Sequence, residues 1–98
     1  MTKKKEIPIM VTTSHRGVFF GYVSEKPTKK DRSLCLRRAR NCISWSSDMK
    51  GFLGLASIGP SKTCRIGPQV DEFLVSDITS IAVVPASAAA AWESAPWS

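Results

Sequence analysis

The chain has one histidine, His15, and three cysteines, Cys35, Cys42 and Cys64, none of which forms a Cys-x-x-Cys pair. A tetrahedral zinc centre would need all three thiolates and that single imidazole at irregular spacing, so no metal is expected. The same scarcity thins the catalytic options. Cys35 or Cys42 with His15 and Asp48 is the nucleophile, base and orienting acid that the composition permits, and no local signature surrounds them. Asp71, Glu72 and Asp77 are spaced as loop and strand-edge acids rather than as a carboxylate pair for acid–base work. The Gly-x-x-x-x-Gly-Lys-Ser/Thr phosphate loop is absent, and Gly51, Gly54 and Gly59 read as helix-boundary and packing glycines. No apolar run reaches ~18 residues and no charged–apolar–small leader is present. The expectation is therefore a cytoplasmic, non-enzymatic protein that uses no cofactor, does not associate with a membrane, and keeps its cysteines reduced, buried and inert.

What the chain does carry is positive charge and strand-forming residues. Fourteen Lys and Arg against eight acids give a formal charge of +6 over 98 residues. That length fits one domain over residues 1–98, since domains commonly run ~50–250 residues. The composition, 43% hydrophobic and 22% charged, is that of a folded chain. Lys3, Lys4 and Lys5 fall in a basic flexible N-terminus over residues 1–5, and residues 96–98 are expected to fray. Lys26, Lys29, Lys30 and Arg32 lie on a loop that carries Pro27 and no apolar periodicity, whereas Arg37, Arg38 and Arg40 lie inside an ordered segment. A field of this sign attracts nucleic acid, anionic lipid, nucleotides or acidic proteins, and charge alone does not choose among them.

The densest block is Gly17-Val18-Phe19-Phe20-Gly21-Tyr22-Val23, whose branched and aromatic residues suit a pleated strand. Before it, Ile7 to Thr13 reads as a first strand, with Pro8 confined to an edge or to the strand start. The short Ser14-His15-Arg16-Gly17 connection makes the pair an antiparallel hairpin. Residues 33–45 fit either a helical stripe of Cys35, Ala39, Cys42 and Ile43 or the alternation of a strand. Ser47 or Asp48 can cap a helix over Met49 to Ile58, with Phe52, Leu53, Leu55 and Ala56 as its apolar face and Gly59-Pro60 as its stop. Lys62 to Ile66 predicts a short strand and Glu72 to Val84 a long one, broken in its alternation near Asp77-Ile78. The alanine-rich segment Ala86 to Ala95 predicts a C-terminal helix docked by Trp92. The class is mainly β (α+β): a small antiparallel sheet or barrel-like meander with one short internal helix and one at the C-terminus.

The succession Arg16-Gly17-Val18-Phe19-Phe20-Gly21, Ala39-Arg40-Asn41 with Trp45 beyond, Gly54-Leu55-Ala56 with Gly59, and Leu74 to Val84 ending at Pro85 resembles small phage and prophage proteins of unknown function. The similarity spans roughly Ser14 to Ala86 and rests on hydrophobic and glycine punctuation. It implies a mobile-element origin, a β-rich fold, and a long strand through residues 33–45 with a bulge or bend near Arg40-Asn41. Together with the charge, it implies a phage-encoded accessory protein that binds and inhibits a host component, such as a defence nucleoprotein complex, through a basic face of Arg37, Arg38, Arg40, His15, Arg16, Lys29 and Lys30. Two alternatives use the same groups: binding of nucleic acid, with Phe19, Tyr22 or Trp45 stacking bases, and sequestration of an anionic signalling nucleotide. Phe19 and Trp45 otherwise belong to the core. Hydrophobic residues on both faces of the 73–84 run predict a homo-oligomer buried through Phe73, Val75, Ile81 and Val83.

Overall fold

In the computed structural model of the chain, residues 6–14, 17–28, 30–45, 51–61 and 64–96 are described. Among these residues six strands and two helices follow one another: β1 (Ile7–Thr13), β2 (Val18–Val23), β3 (Leu34–Ser44), α1 (Gly51–Ile58), β4 (Arg65–Ile66), β5 (Val70–Val75), β6 (Ile78–Val83) and α2 (Ala86–Ser94). All pair antiparallel in one sheet of order β4-β3-β2-β1-β6, with β5 beside β4 on the same edge of β3. The mainly β class with two short helices is what the sequence predicts. Pro8 stands at the start of β1, opposite Val84 just past the end of β6, where its carbonyl accepts from Val84 N–H and its missing N–H forfeits only the reciprocal bond at the end of the ladder.

The predicted single strand over residues 72–84 is two strands instead. Ser76 and Asp77 break it, Asp77 in the left-handed region at φ 56°, and the two halves go to opposite edges of the sheet. This connection dictates the sheet's shape. Flat, the four gaps from β5 to β6 would separate those strands by ~19 Å at ~4.8 Å per gap. Three Cα steps from Val75 to Ile78 reach at most ~11 Å. The sheet must therefore curl until its edges approach, and Val75 and Ile78 are buried in one cluster.

Curling gives the sheet two apolar faces. Ile9, Val11, Val23, Leu36, Ala39, Val75 and Ile78 fill the concave side, with Phe19, Phe73 and Ile81 packed against them. On the convex side Met10, Phe20, Tyr22 and Cys42 meet Leu55 of α1 and Ala88, Ala89 and Trp92 of α2. Trp92 is fully buried; its ring stacks on Phe20 at 5.1 Å and 4°, and its Nε1 donates to the Leu55 carbonyl at 3.1 Å. Gly59 ends α1 at φ +91°, and a Cβ there would stand 2.6 Å from that of Ala91, so glycine allows the two helices their close approach.

The concave face is filled from within the chain and the helices cover the convex face over β1 and β2, while Leu74 and Val70 of β5 and Ile43 of β3 stay exposed. Phe73, Val75 and Ile81 pack against their own concave cluster, while Val83 is 56% exposed. Trp45, expected in the core, is exposed at the end of β3, and so is Leu53 on α1. The predicted helix cap at Ser47 or Asp48 lies outside the described residues.

Candidate functional site

The three arginines of β3 do not form one basic surface. β2 and β3 pair as Phe20 with Arg40 and Tyr22 with Arg37, so two steps on β2 face three on β3. The extra residue is a bulge, and Arg38, at φ 50°, occupies it. The irregularity expected near Arg40-Asn41 therefore sits two residues earlier. Its effect is on direction. Leu34 and Leu36 point to the concave core, and unbroken alternation would send Arg38 and Arg40 there too. The bulge turns Arg40 to the convex side and leaves Ala39 to fill the concave one.

On the convex side Arg37 and Arg38 meet acid. Arg38 Nη2 lies 2.9 Å from one oxygen of Glu6 and Arg37 Nε 3.5 Å from the other. The Arg38 guanidinium also lies 4.1 Å above the Tyr22 ring. Asp71 and Glu72 line the same shallow hollow of about 400 Å³, so two guanidiniums share it with three carboxylates. Burial first, then a hydrogen bond to Glu93 and its charge, push the Tyr22 phenol up to about 12 against a smaller opposing pull from Arg38.

Arg40 is only 5% exposed. Its Nε donates to the Gly67 carbonyl at 2.8 Å and its Nη1 to the carbonyls of Trp92 at 2.9 Å and Ala95 at 2.5 Å. The last turn of α2 holds no basic residue of its own. Arg40 supplies that charge from the sheet, capping the helix's negative end and tying it to the turn between β4 and β5. Burial lowers its pKa, yet a guanidinium remains charged. Its role is structural.

The remaining basic groups gather on segment 24–32, which crosses from the end of β2 toward the connection between β5 and β6. Its middle is a turn: Asp31 N–H donates to the Thr28 carbonyl at 3.0 Å, and Thr28 N–H donates to Asp31 Oδ2 at 2.7 Å. At its end the Arg32 carbonyl accepts from Ile78 N–H at 3.0 Å. Lys26, Lys30 and Arg32 are exposed. Between this strap and β6 lies a hollow of about 410 Å³ whose walls include Lys26, Arg32, Thr28, Ile78, Ile81 and Val83. Among the described residues β6 pairs with β1 and with no other strand. Of the remaining predicted site residues, His15, Arg16 and Lys29 lie outside the described residues. Lys26, Arg32 and the open edge of β6 were not singled out as site residues; the signal for that edge is the break of alternation at Asp77-Ile78.

The cysteines divide. Cys42 is buried, Cys64 half-buried and Cys35 exposed, contrary to the expectation of three buried thiols. Burial, then the neighbouring Cys64, push the Cys42 thiol up to about 12. Among the described residues no His, Cys, Asp or Glu cluster could hold a metal ion, and no helix is long and apolar enough to cross a membrane. Compared with known families, residues 6–92 match the model of a domain of unknown function, DUF6948. No curated protein and no solved structure matches the chain.

Proposed function

The chain belongs to the DUF6948 family, whose description lends it no activity, and we propose from its own geometry that it is a non-enzymatic binding protein that engages an acidic protein surface through strap 24–32 and the neighbouring edge of β6. The observation that carries this reading is the distribution of charge. Strap 24–32 holds Lys26, Lys29, Lys30 and Arg32 against Glu25 and Asp31, and Asp31 is engaged by the Thr28 N–H. The Arg37–Arg38 hollow, with its three carboxylates, offers no such surplus.

Protein fits this surface better than nucleic acid. Single-strand recognition draws on aromatic rings laid beside basic groups. Here Phe20 and Trp92 are buried against one another and Phe19 packs on Phe73 at 5.0 Å, while the strap's hollow is lined by Lys26, Arg32 and Asp31 with aliphatic and hydroxyl side chains and, among the described residues, by no aromatic ring. The resemblance to phage and prophage proteins makes a bacterial host component the natural target, and inhibition of a defence factor the natural purpose. The test is capture from bacterial lysate by the parent and by Lys26→Glu/Arg32→Glu, each with and without nuclease. A protein band that survives nuclease and vanishes with the double variant is the expected result. Capture of nucleic acid alone, or a band indifferent to the charge reversal, overturns the reading.

A further inference from the structure

The edge of β6 carries a more specific recognition mode. Val84 N–H donates to the Pro8 carbonyl at 3.0 Å, and Met10 and Thr12 of β1 face Ala82 and Ser80. In an antiparallel ladder the hydrogen-bonding residues alternate, so Ser80, Ala82 and Val84 turn their backbone groups toward β1. Ile81 and Val83 turn theirs away, to the side where no strand pairs among the described residues. The bulge at Thr79, set by the pairing of Thr13 with Ile78 and Thr12 with Ser80, reverses this parity, and Ile78 accordingly offers its N–H outward to Arg32.

The strap therefore closes the first position of this edge and leaves the next two open, with the basic hollow alongside and Val83 exposed in its wall. Resting on the proposed binding reading, we infer that an extended acidic segment of a partner protein adds to β6 as a further strand. It would pair with the backbone of Ile81 and Val83, set alternate apolar side chains against Val83, and present carboxylates to Lys26 and Arg32. Charge selects this occupant over a second copy of the chain. A symmetric β6–β6 pairing would bring Lys26 and Arg32 against themselves. Docking of a second copy's β5, which carries Asp71 and Glu72, is head-to-tail and builds a ring or a filament rather than a two-fold dimer, a growth in mass that light scattering reads.

The probe is a short synthetic peptide of alternating glutamate and valine, added to the full chain and followed by amide NMR and light scattering. Binding should slow exchange of the Ile81 and Val83 amides and weaken on Lys26→Glu. Val83→Pro removes an outward N–H and nothing from the β1 ladder, so its folded form should bind about tenfold more weakly, the worth of one edge hydrogen bond. N-methylation of alternate peptide amides should act likewise without any change to the protein. Peptide that binds through Lys26 while leaving the Ile81 and Val83 amides unprotected overturns strand addition and leaves the acidic-partner reading standing. A chain that ignores the peptide but binds a single-stranded oligonucleotide through Lys26 and Arg32 overturns both. Growth in mass of the chain alone, abolished by Val83→Pro, gives the edge to self-association and overturns the inference.

Discussion

Replacing Arg40 by alanine should destabilise the protein more than any other single change to its charged residues. The substitution strips three carbonyls, of Gly67, Trp92 and Ala95, of a charged donor. Hydrogen bonds to charged groups contribute ~1.5–3 kcal/mol each, and a buried acceptor left unpaired costs ~1–3 kcal/mol. Water can reach Ala95, which is half-buried, but reaches the sites of Gly67 and Trp92 poorly, since both residues are buried. Two unrelieved carbonyls together with the space vacated by the side chain amount to ~3–5 kcal/mol. A domain of this size has ~5–15 kcal/mol in all, so the melting temperature should fall by ~12–40 °C at ~4–8 °C per kcal/mol. Arg37→Ala, whose side chain is mostly exposed, should move stability by no more than ~0.5 kcal/mol. Thermal unfolding followed by circular dichroism, with the near-ultraviolet signal reporting the Phe20–Trp92 stack, compares the two. Arg40→Lys should recover only part of the loss, because one ammonium cannot reach both Gly67 and α2. An Arg40→Ala protein that melts within a degree or two of Arg37→Ala would refute the structural role. It would also restore the single arginine face expected from sequence. By the same reasoning a triple charge reversal at Arg37, Arg38 and Arg40 tests folding rather than binding.

Further changes probe the helices, the sheet and the titrating groups. Gly59→Ala forces a side chain into φ +91° against Ala91 and should cost ~1–3 kcal/mol, which urea unfolding will read; a neutral result would mean that the helix pair can separate. Tyr22, the one tyrosine, should ionise near pH 12 by phenolate absorbance rather than near 10.0, and a midpoint near 10 would show the phenol to be wet. Because its folded pKa lies above its unfolded one, the associated stability is whole below pH 10 and is lost as pH rises toward 12, some ~2–3 kcal/mol over that window. Cys42, raised likewise, adds a loss that begins nearer pH 9, so Tyr22→Phe should flatten the alkaline fall without abolishing it. In native protein a thiol reagent should modify exposed Cys35 quickly and Cys42 only on unfolding; equal rates would contradict the packing of Cys42 against the helices.

Legibility of the sequence tracked how local the determining contact is. β1 and β2 were readable because each carries its own alternation and its own turn, and α2 because alanines favour a helix whatever surrounds them, with Trp92 as the obvious anchor. The split of residues 72–84 was half visible. Alternation fails at Asp77-Ile78, but Ser76-Asp77 is not a glycine or asparagine turn, and the choice between a bulge and a new strand depends on β1 being available to accept β6. Arg40 was opaque for a related reason. Three arginines within four positions look like one patch, and only the bulge at Arg38 together with the arrival of α2, 46 or more positions later in the chain, makes one of them a helix cap.

That contrast also explains where a binding surface can sit in so short a chain. The concave face is consumed by the core, the helices cover the convex face over β1 and β2, and the β3 arginines are engaged by Glu6 and by α2. Backbone hydrogen-bonding groups remain open at the two outer edges, which β-proteins ordinarily guard with charge. On β5 that guard is acidic and part of the strand itself, Asp71 and Glu72. On β6 the strand, Ile-Thr-Ser-Ile-Ala-Val, carries no charge at all, and its guard is displaced onto a strap that pairs at Ile78 and then stands off behind a hollow. A guard meant only to prevent aggregation would serve best within the strand, as on β5. Positioned beside an open pair of backbone donors and acceptors, the same lysines and arginine repel another copy of this edge and attract an acidic one, which converts protection into selection.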